Sequence, residues 1–122
     1  MNKKILIIED DRDIRNAFKK QLDLLGGYDT DLAEGGEEGL EKMAETQYDL
    51  VLLDLVMPGF DGIELLQALK DNQDKYKKAP VIAVTNVTAV DTKQEAEKLG
   101  IVKYVVKTDT DIDVVIDEFF NS

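Results

Sequence analysis

Short continuous apolar runs alternate along the chain with stretches whose apolar residues recur at helical spacing. Runs such as Ile5–Ile8 and Leu50–Leu53 are typical of strands that a sheet buries on both faces. The residues between the first two predicted strands that share one helical face are Ile14, Phe18, Leu22 and Leu25. Strands that alternate with helices favour a parallel sheet with right-handed helical crossovers. We therefore expect an α/β fold made of five strand–helix units.

Five strands and five helices are predicted along the 122 residues. The strands are Ile5–Ile8, Tyr28–Leu32, Leu50–Leu53, Val81–Val84 and Tyr104–Val106. The helices are Asp11–Leu25, Glu37–Thr46, Ile63–Leu69, Asp91–Leu99 and a last one whose buried stripe is Ile112, Val115, Ile116 and Phe119. The second strand alternates polar and apolar residues, which predicts an edge position, and the lysine-bearing residues 72–80 predict a surface loop. No linker or repeat divides the chain, so we expect one domain over residues 1–122.

The net charge of −11 and the sequence pI of about 4.4 exclude several function classes. Such an acidic chain would be repelled by nucleic-acid phosphates, whereas it suits cations and basic protein surfaces. The absence of cysteine excludes disulfides and thiolate metal sites. The absence of histidine means that any phosphohistidine donor must belong to another molecule. No apolar run is long enough for a signal sequence or a membrane span, so we expect a cytoplasmic protein without membrane contact.

Polar residues follow the apolar strands where each strand ends. They are Glu9, Asp10 and Asp11 after the first strand, Asp54 after the third, Thr85 after the fourth and Lys107 after the fifth. Because the carboxyl ends of parallel strands meet at one edge of a sheet, we expect these side chains to converge there.

The chemistry of this set points to a metal and a phosphoryl group. Carboxylates held close together repel one another and raise their own pKa values, and a divalent cation relieves that repulsion. Oxygen ligands without nitrogen or sulfur favour Mg²⁺. A carboxylate beside bound Mg²⁺ can attack a phosphoryl group, while Lys107 and the metal neutralise its oxygens and the Thr85 hydroxyl donates a hydrogen bond.

Four segments together resemble the receiver domain of two-component response regulators, over nearly the whole chain. They are Ile5–Asp11, Leu52–Gly62, Val81–Thr85 and Tyr104–Lys107. The resemblance implies a single receiver domain with a chemotaxis-regulator-like, flavodoxin-like doubly wound sheet of strand order 2-1-3-4-5. This strand order is taken from the family and does not follow from the residues alone.

The resemblance also assigns roles by position. It makes Asp54 the phosphoacceptor and Glu9 and Asp10 the acidic pair, and it favours Asp10 over Glu9 as the direct Mg²⁺ ligand. The implied metal ligands are therefore Glu9, Asp10, Asp54 and the main-chain carbonyl of Val56. Thr85 and Lys107 are implied to sense the phosphoryl group, and Tyr104 is implied to be an aromatic switch that changes rotamer when Thr85 moves.

The implied partners are a sensor histidine kinase or a phosphotransfer protein upstream and a protein effector downstream. The domain would catalyse its own phosphorylation and a slow dephosphorylation, without being a turnover enzyme. It would be a monomer or a phosphorylation-dependent dimer, and either a stand-alone receiver or a piece of a longer chain.

Three positions depart from the usual family pattern. Thr108 follows Lys107 where the family usually has proline, so a cis peptide bond there would cost about 3 kcal/mol. Asn86 replaces a small residue and would narrow access to Asp54. Val56 replaces a residue that is often polar in fast-cycling members, and an apolar side chain cannot orient an attacking water. We therefore expect a long-lived phosphoryl group.

Plainer interpretations of the same residues stay open at this point. Asp11 is suited to be a helix N-cap, Thr85 an ordinary β-branched strand residue, Lys107 a solvated loop lysine and Tyr104 a core aromatic. For the whole chain, the alternatives are a degenerate receiver that signals without phosphate and a flavodoxin-like cofactor binder. The second lacks the phosphate-binding loop that it needs, because Glu9 and its acidic neighbours stand there.

Overall fold

Five strands and five helices alternate in the computed structural model, which describes residues 2–86, 90–107 and 111–121. The strands are β1 (Lys3–Ile8), β2 (Tyr28–Ala33), β3 (Leu50–Leu53), β4 (Val81–Thr85) and β5 (Lys103–Val106). The helices are α1 (Arg12–Leu25), α2 (Gly36–Glu45), α3 (Gly62–Asp71), α4 (Val90–Lys98) and α5 (Ile112–Asn121). Every predicted element is present, with bounds that differ from the expected ones by a few residues at most.

The five strands form one parallel sheet in the order β2-β1-β3-β4-β5. This confirms the strand order that the family resemblance implied and the edge position of β2. In the register, Ile8 lies opposite Leu53, and Thr85 lies opposite Val106. The carboxyl ends of β1 and β3 are therefore level with each other, as are those of β4 and β5.

The sheet is buried on both faces, which explains its continuous apolar strands. One face carries Ile5, Ile7, Leu50, Leu52, Ile82 and Val84, which pack with Leu22 of α1 and Ile112, Val115 and Ile116 of α5. The other carries Leu6, Ile8, Val51, Leu53, Val81 and Ala83, which pack with Met43 of α2, Leu65 and Leu66 of α3 and Ala96 of α4. Because successive strand side chains point to opposite faces, every residue of β3 and β4 is apolar or, at the last position of β4, threonine. Each fully buried aliphatic side chain stabilises the fold by about 1.5–3 kcal/mol.

Helix α1 shows one confirmed and one wrong expectation. The Asp11 side chain accepts hydrogen bonds from the main-chain N–H groups of Asp13 and Ile14, so Asp11 is the N-cap. The inward stripe predicted for α1 included Leu25, but this residue is 44% exposed. Leu25 is the last residue of α1, and the turn through Gly26 at a φ of 73° leaves its side chain in solvent.

The described helices include none that is long and apolar enough to cross a membrane.

Gly62 and Gly39 allow a matched test of how closely α3 approaches Asp54 and Leu55, the two residues that follow β3. A Cβ on Gly62 would lie 2.6 Å from the Asp54 carbonyl oxygen and 2.6 Å from the Leu55 Cα. A Cβ on Gly39 would instead meet the terminal methyl of Ile8, at 2.5 Å, which a rotamer change can move. We expect Gly62→Ala to lower the free energy of unfolding by about 1–3 kcal/mol, because main-chain atoms must shift.

Gly39→Ala serves as the control and should cost less, because the gain in helix propensity of about 1 kcal/mol offsets its side-chain clash. Urea unfolding of both variants measures the difference. Equal losses in the two variants would contradict the close approach at Gly62.

Candidate functional site

The carboxyl ends of β1 and β3 bring three acidic side chains together. One carboxylate oxygen from each of Glu9, Asp10 and Asp54 lies within 4.8 Å of the others. Glu9 and Asp54 are only 1% and 5% exposed, whereas Asp10 is exposed. The convergence expected for these three residues is therefore present, and the side chain of Asp11 serves the N-cap instead.

Asp54 is held at both carboxylate oxygens. Its Oδ1 accepts a hydrogen bond of 3.1 Å from the main-chain N–H of Val56, and its Oδ2 lies 3.1 Å from the Lys107 ammonium. Its own N–H donates to the Ile8 carbonyl at 3.0 Å, which continues the β1–β3 pairing by one residue. The carboxylate is thus held by groups that follow β3 and β5, while the main chain of Asp54 is held by β1.

Lys107 connects the end of β5 to both buried acids. Its ammonium donates to Glu9 Oε1 as well as to Asp54 Oδ2, and its side chain is 10% exposed. The alternative that Lys107 is a solvated loop lysine is therefore wrong.

Burial and mutual repulsion set the charge state of this cluster. Burial is the largest cause, and together with the charge of Asp54 it outweighs the hydrogen bond from Lys107 and raises the pKa of Glu9 to about 7. Burial alone would lower the pKa of Lys107, but the hydrogen bond to Glu9 and the charge of Asp54 outweigh it and raise that pKa. Three close carboxylates facing one ammonium leave an excess of negative charge, which suits a hard divalent cation.

Thr85 and Tyr104 occupy the two strands on the other side of Asp54. Thr85 is the last residue of β4, is fully buried, and pairs in register with Val106, the neighbour of Lys107. Tyr104 lies on β5, half-buried against the core face that α2, α3 and α4 cover, and burial raises the pKa of its hydroxyl. The ammonium of Lys93 on α4 lies 5.7 Å from the centre of the Tyr104 ring.

The positions that depart from the family pattern border this site. Val56 is 57% exposed beside Asp54, and Asn86 is exposed directly after β4. The expectation for Thr108 concerns a residue outside the described ranges.

Arg15 is a site neighbour that the sequence reasoning missed. It is 7% exposed on α1, and its Nη1 donates to the Glu9 carbonyl at 2.9 Å and to the Asp10 carbonyl at 3.4 Å. Its Nη2 lies 3.5 Å from Glu34 Oε1. The available signal was its spacing, because Arg15 precedes Phe18 by three residues and Leu22 by seven and so shares their inward face.

A separate groove of about 500 Å³ lies away from these residues. It is bordered by α3, by residues 73–79 and by Leu99, and no member of the acidic cluster lines it. The chemistry-bearing side chains therefore lie at the carboxyl edge of the sheet and not in this groove.

The fold and this edge define a receiver domain of the kind used in phosphorylation-based signalling. Residues 5–116 match the family described as the response regulator receiver domain. The chain belongs to this family of two-component signalling proteins.

Relatives and solved structures agree with this assignment. The chain is 36% identical over 121 residues to Sporulation initiation phosphotransferase F of Bacillus subtilis, which covers 96% of this chain and 90% of that protein. It is 37% identical over 107 residues to Response regulator protein FleR of Pseudomonas aeruginosa, covering 88% of this chain and 22% of that protein. The receiver domain of the Francisella response regulator 1452 superposes with a TM-score of 0.82 at 32% identity, covering 96% and 93% of the two chains. The chain spans less than half the length of several curated relatives that it matches.

The raised pKa of Glu9 predicts how the stability of the metal-free protein depends on pH. The folded value of about 7 lies above the ordinary value of 4.5, so the folded protein binds this proton more tightly than the unfolded chain does. The associated stability is fully present below about pH 4.5 and is lost as pH rises through about 7. In EDTA, we expect the free energy of unfolding to fall over this range by an amount on the order of 3 kcal/mol because of Glu9.

Glu9→Gln should lack the loss in free energy of unfolding that Glu9 causes, because glutamine does not titrate. Glu41→Gln changes an exposed residue of α2 and should show the same loss as the wild type. Urea unfolding at a series of pH values provides the three profiles. If the profile of Glu9→Gln ran parallel to that of the wild type, the loss of stability could not come from the titration of Glu9.

Proposed function

We propose that the protein carries a signal by accepting a phosphoryl group on Asp54, in a Mg²⁺-dependent reaction, from a sensor histidine kinase or a phosphotransfer protein. Receiver domains interact with histidine kinases and phosphotransfer proteins as a family. The observation that carries the proposal is the setting of Asp54, a nearly buried carboxylate beside two further acids and the Lys107 ammonium. An aspartate that served only the core or a turn would not need two further acids and an ammonium beside it.

The donor set fits Mg²⁺. Three carboxylate oxygens within 4.8 Å of one another, from Glu9, Asp10 and Asp54, offer hard oxygen ligands. The raised pKa of Glu9 reports the repulsion and burial that a divalent cation would relieve. The Val56 carbonyl is proposed as a further ligand. Bound Mg²⁺ would supply charge neutralisation at the oxygens of the transferring phosphoryl group.

The chain's own residues would position and stabilise the transfer. A carboxylate oxygen of Asp54 forms a bond to phosphorus while the bond between phosphorus and the donor imidazole nitrogen breaks, and the imidazole keeps that electron pair. The Val56 N–H holds Oδ1 during the attack. The Lys107 ammonium, 3.1 Å from Oδ2, is close enough to pair with the incoming phosphoryl oxygens. The Thr85 hydroxyl at the end of β4 is proposed to donate to them as well.

Phosphorylation would then change a protein-binding surface. Thr85 is proposed to move toward the phosphoryl group and Tyr104 to follow it, which biases the face formed by α4, β5 and α5 between two arrangements. Exposed apolar side chains occur on α4 at Val90, on α5 at Val114 and just before β5 at Val102, and such side chains suit a protein effector or a second phosphorylated copy. The net charge of −11 argues against direct binding to nucleic acid.

The remaining parts of the proposal concern the whole chain. We propose one receiver domain over residues 1–122 that works in the cytoplasm, where kinases draw on ATP. The domain would take part in its own phosphorylation and slow dephosphorylation without acting as a turnover enzyme.

Intact-mass spectrometry tests the acceptor and the metal together. After incubation with acetyl phosphate and Mg²⁺, the wild type should gain the mass of one phosphoryl group, and Asp54→Asn should gain none, because the nucleophilic carboxylate is gone. Asp11→Asn is the matched control and should still gain it, since asparagine also caps α1 well.

Omitting Mg²⁺ should abolish the gain in the wild type. A gain in Asp54→Asn would mean that another residue is the acceptor. No gain in the wild type, from acetyl phosphate or from a phosphorylated histidine kinase, would favour a receiver that signals without phosphate.

The lifetime of the phosphoryl group is the second test of this site. Val56 is exposed and apolar beside Asp54, so it cannot orient an attacking water, and Asn86 borders the same opening. We therefore expect slow hydrolysis at neutral pH with Mg²⁺ and a shorter lifetime in Val56→Asn, whose amide can hold a water. Following the phosphorylated mass over time measures both, and a wild-type half-life of seconds would contradict the expectation.

A further inference from the structure

Arg15 is a buried cation that contacts the main chain of the acidic segment. Its side chain is 8% exposed, and its Nη1 donates to the carbonyl oxygens of both Glu9 and Asp10, at 2.9 and 3.4 Å. A guanidinium stays charged at any pH that a folded protein meets, so its burial requires acceptors. Here the acceptors belong to the two consecutive residues that supply two of the three clustered carboxylates.

Other contacts fix Glu9, while Asp10 stays exposed. The Glu9 N–H donates to the Ala33 carbonyl at 3.1 Å, and its Oε2 accepts from the Asp11 N–H at 3.2 Å. The Glu9 Oε1 accepts from Lys107. The Asp10 side chain is exposed, so its direction depends on how the main chain of residues 9 and 10 is held. Arg15 holds that main chain at both carbonyl groups.

Stability alone does not account for an arginine at this place. Replacing a buried ion pair by apolar side chains of similar volume is often neutral or stabilising, so a buried ion pair is weak evidence for a role in stability. Its partner Glu34 is 78% exposed at 3.5 Å, and exposed ion pairs of this kind contribute about 0–1 kcal/mol. The position faces inward with Phe18 and Leu22, where an apolar residue would suit the packing.

We propose that Arg15 is a positioning residue of the metal site, which sets the main chain of Glu9 and Asp10 so that their carboxylates point toward Asp54. This inference rests on the proposed function, because it concerns the same Mg²⁺ site. The effect is geometric, since the charge of Arg15 by itself would repel a metal cation. Outer residues that orient metal ligands typically change metal affinity 10–100-fold when they are replaced.

The test measures Mg²⁺ affinity by NMR titration of backbone amides in the unphosphorylated protein, at a pH above 8 where protons no longer compete for Glu9. We expect Arg15→Met, which keeps the apolar stem and loses both donors, to bind Mg²⁺ about tenfold more weakly than the wild type. Arg15→Lys keeps the charge but has no planar fork for two carbonyls, so we expect it to lose affinity too. If Arg15→Met does not fold, Arg15→Lys provides the same test.

Leu22→Val is the matched control, because Leu22 is fully buried on the same inward face of α1 and has no contact with the acidic segment among its core neighbours. Leu22→Val should lower stability in urea and leave Mg²⁺ affinity within about twofold of the wild type. If Arg15 had only a structural role, Arg15→Met would give this same pair of results. Wild-type affinity in Arg15→Met, or full recovery in Arg15→Lys, would overturn the inference while leaving the proposed function intact. Failure of the wild type itself to bind Mg²⁺ would overturn the metal part of the proposed function and this inference with it.

Discussion

The ion pairs of Lys107 with Glu9 and Asp54 are the interaction on which the site depends. They join residues that are 98 and 53 positions apart in sequence and that end three different strands. Two carboxylates that are at most 5% exposed repel each other and lose hydration, and a buried ammonium between them offsets part of that cost. Burial is the largest cause of the raised pKa of Glu9, and the charge of Asp54 adds to it despite the hydrogen bond from Lys107. The three clustered carboxylates are therefore a candidate site for a divalent cation.

The position of this cluster follows from the way the sheet is covered. Helices α1 and α5 cover one face and α2, α3 and α4 cover the other, so residues such as Ile7 and Ile8 are both buried although they point in opposite directions. A polar side chain inside such a strand would have no water and few partners. Polar groups are therefore confined to the strand ends, and because β1 and β3 are neighbours in the sheet, their terminal acids lie side by side.

The sequence predicts the α/β fold and the polar carboxyl edge of the sheet well. Both depend on the spacing of apolar residues and on the succession of strands and helices along the chain. Continuous apolar runs identify the strands, alternation in residues 28–32 identifies the edge strand, and helical spacing identifies the helices. The order of the strands came from the family resemblance, since many orders bury the same residues. Residues whose surroundings are set by tertiary packing were less predictable. Arginine inside a helix usually reaches solvent, and only its spacing from Leu22 indicates that Arg15 is buried.

The sequence does not indicate how differently Glu9 and Asp10 are held. Glu9 is bound through its N–H, its carbonyl and both carboxylate oxygens, whereas the Asp10 side chain is exposed. At the candidate metal site, Glu9 would thus contribute a fixed carboxylate, and Asp10 would contribute one that remains accessible to water.

The same ammonium also links the site to the proposed output face. Lys107 directly follows β5, and Tyr104 lies three residues earlier on that strand, packed toward α4. A cation that competes for the carboxylates of Glu9 and Asp54, or a phosphoryl group that competes for Lys107 itself, would change the forces on the end of β5. Since β5 is the other edge strand of the sheet and pairs only with β4 among the described strands, it has fewer hydrogen bonds to resist such a change than a central strand has. If Asp54 is the phosphoacceptor as proposed, its change of charge would reach Tyr104 through Lys107 and this one short strand.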